Sequence, residues 1–321
     1  MYPHHECLPI GRYLWETEHP TLALSHFEFA FGLDFDKTSP VAAQAHRIMG
    51  HVLLDLARPR AALNAYREAL AIRQKVDGPD TPAVADVYDS IACCHVEMGD
   101  VTQANQYIAR AIAIHEACDS SKRSRTEAVR ALALLRAKLP QEALVALQTC
   151  WELQGLGQDQ IENSKYPKHS GDIVLLARIH WAQGEKEKAR QLMTKATAMR
   201  RAMSGRDASP GVVDAMFHLA LMLRNEDQDA TVNLLQQIIQ IIEIAQVICG
   251  DAQDMRGHLA RALWFLAGTG KDSSSSNSER IQLRERAREE LGRLVGREDV
   301  DADTDTDTDE LFMKLVRWFL W

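Results

Sequence analysis

The sequence predicts an all-α protein: a right-handed superhelical solenoid of about six antiparallel helix pairs, closed by a C-terminal capping helix. Two observations lead to this prediction. A pattern of small and apolar residues recurs after 42 residues, so that Gly50 and Ala62 correspond to Ala92 and Ala104. Within each copy, apolar residues recur at spacings of three and four, the period of a helix packed on one face. A repeat of this length indicates stacked helix pairs that share one core.

The turn that ends the first copy carries a more specific signal. The helical run that includes Ala69 and Ile72 leads into Gly78-Pro79-Asp80-Thr81-Pro82. This segment resembles the tetratricopeptide repeat in the long form found in kinesin light chains, whose second helix ends in a Gly-Pro-Asp-x-Pro turn. The resemblance is clear over residues 41–126 and weaker over 127–296. It implies that the first helix of each pair lines a concave face, and that the protein binds other proteins.

The other units follow the same spacing less closely. An opening pair is predicted between residues 8 and 33, and a degraded pair between 125 and 150, where Pro140 begins the second helix. Proline suits this position because the first helical turn has no N–H to lose. The pattern recovers over 176–196 and continues through pairs within 210–249 and 255–295. We therefore expect one helical repeat array from residue 1 to 296.

The C-terminal segment differs from the array in composition. Residues 297–310 include a run of alternating Asp and Thr, which cannot bury apolar surface and is predicted to be an acidic disordered loop. Residues 311–321 are mostly apolar but too short to span a bilayer. A solenoid leaves its last apolar face open unless a terminal element covers it. We therefore expect residues 311–321 to form a C-terminal capping helix.

Composition limits the partners and the compartment. The net charge of −8 and a sequence pI near 5.9 argue against nucleic acid, because no excess of Lys or Arg is available to neutralise phosphates. The six cysteines show no disulfide framework, which favours reduced thiols in a cytoplasmic protein. No signal-peptide pattern and no apolar run of about 18 residues is present, so no membrane span is expected.

Several motifs resemble known sites but lack necessary residues. The Gly268–Lys271 segment has Phe265 where a phosphate loop needs its first Gly, and Asp272 where it needs Ser or Thr. The aspartates of 301–305 lack the Gly and the Glu of a calcium loop. The His and Cys clusters at 4–7 and 93–97 lack zinc spacing. We expect no cofactor, no metal and no catalytic residue, although a catalytic set assembled by folding remains open.

The candidate binding residues follow from the resemblance. Tetratricopeptide proteins direct certain positions of their first helices into the groove, and by that resemblance the groove residues here are Gln44, Arg47, His51, Asp55, Asp86, Asp89, Cys93, Glu97 and Arg178. Receptors of this family for chaperone tails use a Lys-x3-Asn pair to hold a terminal carboxylate. Here the matching pair is Arg47-x3-His51, which argues against a standard tail receptor. The acidic second copy favours a protein or peptide partner with basic residues.

These features predict a protein–protein interaction scaffold or adaptor that binds a peptide or partner protein in its concave groove. The alternative is an enzyme or a small-ligand sensor that reuses the groove as a pocket. An enclosed, mostly apolar cavity with converging His and Asp would favour the alternative, whereas an open polar groove would favour a peptide. The groove positions could also be ordinary exposed polar residues.

Overall fold

A computed structural model describes residues 4–33, 36–56, 58–120, 122–205, 207–249, 255–269, 277–295 and 309–314. In these ranges the chain is helical and contains no strand. The α-helices are α1 (His4–Glu16), α2 (Pro20–Gly32), α3 (Pro40–Asp55), α4 (Pro59–Asp77), α5 (Pro82–Met98), α6 (Val101–Ala117), α7 (Arg123–Arg136), α8 (Pro140–Glu152), α9 (Gln158–Glu162), α10 (Ser170–Gln183), α11 (Lys186–Ser204), α12 (Pro210–Leu223), α13 (Gln228–Cys249), α14 (Arg256–Gly268), α15 (Asn277–Val295) and α16 (Asp309–Lys314). A 3₁₀ turn, Pro167–His169, precedes α10.

Fourteen of these helices form antiparallel pairs, each packed on the next pair along the chain. We number them pair 1 (α1–α2), pair 2 (α3–α4), pair 3 (α5–α6), pair 4 (α7–α8), pair 5 (α10–α11), pair 6 (α12–α13) and pair 7 (α14–α15). The all-α superhelical solenoid predicted from the sequence is confirmed. The described residues hold seven pairs where the sequence suggests about six. None of the described helices combines the length and the apolar character that crossing a membrane requires.

Proline marks the start of many of these helices. Six helices, α2, α3, α4, α5, α8 and α12, begin at a proline, where the missing N–H leaves no hydrogen bond unmade and the fixed φ suits the first turn. The prediction that Pro140 opens a helix is confirmed. At α3 the preceding residue adds a cap, because the Ser39 hydroxyl accepts a hydrogen bond from the backbone N–H of Ala42 at 3.2 Å. The repeat boundaries are thus encoded locally.

Within a pair, a small residue of the first helix packs against a larger side chain of the second helix, 16 positions later in the sequence. Gly50 lies under the ring of Tyr66, and a Cβ placed on Gly50 would come within 2.3 Å of that ring. Gly11 and Phe27 repeat the arrangement, with 3.0 Å to the ring. In pair 3 the positions equivalent to Gly50 and Tyr66 hold Ala92 and Ile108, both buried. The small residue therefore makes room for a side chain of the second helix.

A short helix covers the last pair. In α16, Phe312 is fully buried and its ring stacks on Trp264 of α14, with 4.3 Å between ring centroids. The indole N–H of Trp264 donates a hydrogen bond to Asp309 at 2.9 Å. The predicted acidic loop lies almost wholly outside the described residues, as do residues 315–321, so the domain limits and the full extent of the predicted capping helix stay predictions.

The array also makes a contact between units that are far apart in sequence. Glu18, which follows α1, accepts a hydrogen bond from the hydroxyl of Ser209, the N-cap of α12. A Cβ placed on Gly211 would lie 2.8 Å from Oε1 of the same glutamate. Pair 1 therefore contacts the start of pair 6, because the turn of the superhelix brings these two pairs together.

Candidate functional site

The first helices of pairs 1 to 4 contact one another in succession, and so do those of pairs 6 and 7. The surface that α3, α5, α7, α10, α12 and α14 form is called here the inner surface, and these helices carry all nine candidate residues from the sequence. Six of the nine are partly exposed, and His51, Asp89 and Cys93 are buried. The predicted groove residues therefore fall into two groups, namely partly exposed side chains and buried side chains that lie beneath them.

The accessible residues of pairs 2 and 3 share one pocket. Gln44, Arg47 and Asp86 line a cavity of about 420 Å³ together with Arg73 and Lys122. Lys122 Nζ lies 2.7 Å from Oδ2 of Asp86. Arg47 differs from Asp86, because its Nη1 is buried and has no hydrogen-bond partner among the residues that the structure describes. Burial, together with the nearby Arg125, lowers the pKa of Arg47 to about 10.

His51 and Asp55 belong to a second group, built around Trp15 of pair 1. The Trp15 indole stacks on His51 at 5.3 Å between centroids and donates its N–H to Oδ2 of Asp55 at 2.7 Å. On its other side, His51 Nδ1 lies 2.8 Å from the hydroxyl of Tyr66. Burial holds the pKa of His51 well below its ordinary value. His51 is thus a neutral, buried side chain held between Trp15 and Tyr66.

Asp89 and Cys93 lie deeper on α5. Oδ2 of Asp89 accepts a hydrogen bond from the Thr126 hydroxyl at 3.0 Å, while Oδ1 is buried and has no partner in the part of the chain that the structure describes. Burial raises the pKa of Asp89 to about 7, against the opposing effect of Arg125. Cys93 is part of the apolar core, and burial raises the pKa of its thiol far above the ordinary range. A thiol in this state is inert.

Glu97 and Arg178 begin a charged cluster that continues into the last pairs. Burial lowers the pKa of Arg178, while Asp214 and Glu97 raise it. Asp214 in turn accepts a hydrogen bond from Arg261 Nη2 at 3.0 Å. Burial alone would raise the pKa of Asp214, but His218, Arg261 and Arg200 hold it well below its ordinary value. The inner surface thus carries buried charges of both signs.

Of these residues of pairs 5 to 7, the sequence identified Arg178 but not Asp214 or Arg261. Asp214 and Arg261 are buried members of helices that are otherwise largely apolar. A charged residue inside an apolar helix is the signal that could have revealed them, since charges are buried only where they are paired. The candidate residues from the sequence lie mainly in pairs 2 and 3, where the repeat positions align best.

A second cavity lies where pair 1 meets pairs 5 and 6. It measures about 460 Å³, and its lining includes Trp15, Glu18, Asp55, Arg200 and Met203. Prolines contribute much of the apolar wall, namely Pro20, Pro167 and Pro210. The cavity exists because the array returns on itself at Glu18 and Ser209. It is mainly apolar with a few charged groups, which is typical of a pocket for a small ligand or a side chain.

Family models described as tetratricopeptide repeat match residues 41–117 and 175–208. Of the solved structures, the Rap conjugation gene regulator of plasmid pLS20 in complex with the Phr* peptide is 14% identical, with a TM-score of 0.62, over 89% of this chain and 73% of that one. NprR in complex with its cognate peptide NprX is 10% identical, with a TM-score of 0.61, over 96% and 84%.

A Rap protein complexed with competence and sporulation factor is 12% identical, with a TM-score of 0.53, over 92% of this chain and 98% of that one. No curated protein matches the sequence. Likenesses at these identities concern the fold, and they agree with a helical-repeat solenoid. The resemblance to the kinesin light chain form of the repeat stays a prediction.

Proposed function

We propose that this chain, a tetratricopeptide-repeat protein, is a scaffold that binds a peptide or an extended protein segment on its inner surface. The observation that carries this proposal is Arg47. Its Nη1 is buried and has no hydrogen-bond partner within the described ranges, and the residue lines a pocket with Gln44 and Asp86. A buried donor without an acceptor is costly. A peptide carbonyl or carboxylate placed in this pocket would remove that cost.

The rest of the inner surface suits a polar chain of several residues. Gln44 and Asp86 are partly exposed beside Arg47, and Glu97 and Arg178 are partly exposed farther along. Such side chains can bind backbone groups and charged side chains of an extended ligand. The three similar structures described above are complexes with peptides or a named factor, which supports a peptide as the ligand here. A cytoplasmic location and a partner with basic residues remain part of the proposal, the latter resting on Asp55, Asp86 and Glu97.

A peptide-display selection on the purified chain, followed by affinity measurements with the selected peptides in the presence of EDTA, tests the proposal. Arg47→Ala and Glu97→Ala change partly exposed side chains and should weaken binding by about 10-fold or more. Charge reversal with Glu97→Lys should weaken binding of a basic peptide further. Arg67→Ala and Glu68→Ala change exposed residues of α4 and serve as matched controls.

Two results would contradict the proposal. One is a set of peptides that bind the inner-surface variants as tightly as the original chain. The other is loss of binding only in the α4 variants, which would place the ligand on the outer surface. Circular dichroism of each variant separates a binding defect from a folding defect.

The cavity of about 460 Å³ between pairs 1, 5 and 6 supports a second candidate function, a sensor for a small ligand. A ligand bound there would contact residues from both sides of the Glu18–Ser209 junction and thus favour the closed array. Met203 lines this cavity and is 49% exposed, so Met203→Trp should fill it without disturbing the core. A small molecule that shifts the melting temperature of the original chain in a thermal-shift screen should not shift that of this variant. An unchanged shift would exclude the cavity as the binding site of that molecule.

A further inference from the structure

Three chemically reactive side chains of pair 3 converge beneath the inner surface. Asp86 and Asp89 lie three residues apart on α5 and therefore share one face of that helix. His115 lies in the last turn of α6, which runs antiparallel to α5 and brings its end to the same place. One potential ligand atom from each of the three residues lies within 4.8 Å of the others.

Two of the three residues are buried with unused hydrogen-bonding atoms. His115 is 1% exposed, and neither of its ring nitrogens has a hydrogen-bond partner in the described part of the chain. Asp89 is fully buried, and its Oδ1 has none among the same residues. Buried polar atoms in proteins are nearly always paired, so unpaired atoms on neighbouring side chains indicate a missing ligand. Hydrogen bonds among the described residues therefore do not account for these atoms.

We propose that Asp86, Asp89 and His115 form a binding site for a divalent transition-metal ion, with zinc as the best fit. The site goes beyond the proposed peptide binding and does not depend on it. An imidazole with two carboxylates is a donor set that Zn²⁺ and its neighbours accept, whereas Ca²⁺ requires six to eight oxygen ligands. Ligand atoms of tetrahedral zinc lie roughly 3.3 Å apart, so side-chain movements on the order of 1 Å close the site.

The side chain of Asp89 is already oriented for a metal ion. Thr126 donates its hydroxyl to Oδ2 of Asp89 at 3.0 Å and leaves Oδ1 for the ion. A divalent ion would balance the two carboxylates, which reduces the cost of burying them.

Positive side chains around the cluster oppose the ion and limit its affinity. Lys122 contacts Oδ2 of Asp86, and Lys122 and Arg123 both act electrostatically on His115. Arg47 and Arg125 act on Asp89 in the same way. The Lys122 side chain is 56% exposed, so it can turn into solvent when a metal binds. Removing this lysine should therefore strengthen binding.

The test uses the untagged chain, stripped with EDTA and titrated with ZnCl₂ in a calorimeter, with CoCl₂ absorption as a second readout of the ligand set. We expect one ion per chain. Asp89→Asn and His115→Gln should each weaken binding by about 10-fold or more. His95→Gln is the matched control, since His95 lies on α5 of the same pair but outside the cluster.

Lys122→Ala keeps all three ligands and should bind zinc several-fold more tightly, which keeps the proposal testable if a ligand variant fails to fold. Absence of stoichiometric zinc binding to the unmodified chain would overturn the proposal. Equal binding by the unmodified chain, Asp89→Asn and His115→Gln would also overturn it, because the ion would then bind adventitiously to other histidines.

Discussion

Replacing Gly50 by alanine tests the size matching between the two helices of a pair. In the structure the added methyl would lie 2.3, 2.6 and 2.8 Å from three atoms of the Tyr66 ring. Tyr66 is fully buried, and its hydroxyl lies 2.8 Å from His51 Nδ1. The ring therefore cannot move aside without shifting its neighbours and stretching that hydrogen bond.

The expected cost follows from three contributions. Overpacking of a core costs about 1–3 kcal/mol, and loss of the Tyr66–His51 hydrogen bond adds about 1 kcal/mol. Alanine in place of a helical glycine returns about 1 kcal/mol. Gly50→Ala should therefore lower the free energy of unfolding by about 1–3 kcal/mol.

Chemical denaturation followed by circular dichroism measures this change. Gly292→Ala is the matched control, since Gly292 lies inside α15 and nothing is within 4 Å of its added methyl. It should be neutral or stabilising by up to about 1 kcal/mol. The combination of Gly50→Ala with Tyr66→Ile copies the Ala92 and Ile108 of pair 3 and should recover part of the loss. Full stability of Gly50→Ala alone would refute the reasoning.

Three further predictions concern other parts of the chain. Burial raises the pKa of Asp172 to about 6. The folded protein therefore holds the proton of Asp172 more tightly than the unfolded chain does. The contribution of Asp172 to stability thus falls as pH rises from about 4 to 6. Asp172→Asn should therefore gain stability relative to the original chain between pH 5 and pH 7 in urea denaturation, while the exposed Asp159→Asn should not. Phe312→Ala removes a buried ring stacked on Trp264. This change should lower the melting temperature and promote aggregation, as should removal of residues 311–321. An unchanged melting temperature would show that α16 contributes little to stability. Glu18→Ala removes the acceptor of the Ser209 hydrogen bond and should enlarge the radius of gyration in small-angle X-ray scattering, whereas Glu16→Ala should leave it unchanged.

The fold was largely predictable from the sequence because each repeat carries its own boundary and packing signals. Proline at helix starts and the pairing of Gly50 with Tyr66 are local features that need no knowledge of distant parts of the chain. The contact between Glu18 and Ser209 was not predictable, since it depends on the summed rotations of the intervening pairs.

The candidate site was predicted in outline only. The resemblance to the tetratricopeptide repeat predicted Arg47, Asp86, His51 and Asp89 alike as groove residues, and it could not distinguish the partly exposed Arg47 and Asp86 from the buried His51 and Asp89. That distinction depends on neighbouring helices, such as α7, which brings Thr126 to Asp89. His115 was missed because it lies on a second helix, and only the antiparallel packing of α5 and α6 places it beside Asp86.

The junction between pair 1 and pair 6 has a consequence for how this array can change in evolution. In an open solenoid each unit contacts only its neighbours, so units can be duplicated or deleted with little effect on the others. Here Glu18 reaches Ser209 only if the four intervening pairs carry pair 1 through one particular rotation and rise. Insertion or loss of a single pair would separate these residues and dismantle the cavity beside them. The number of pairs between Glu18 and Ser209 is therefore fixed by geometry, whereas pair 7 lies outside this constraint.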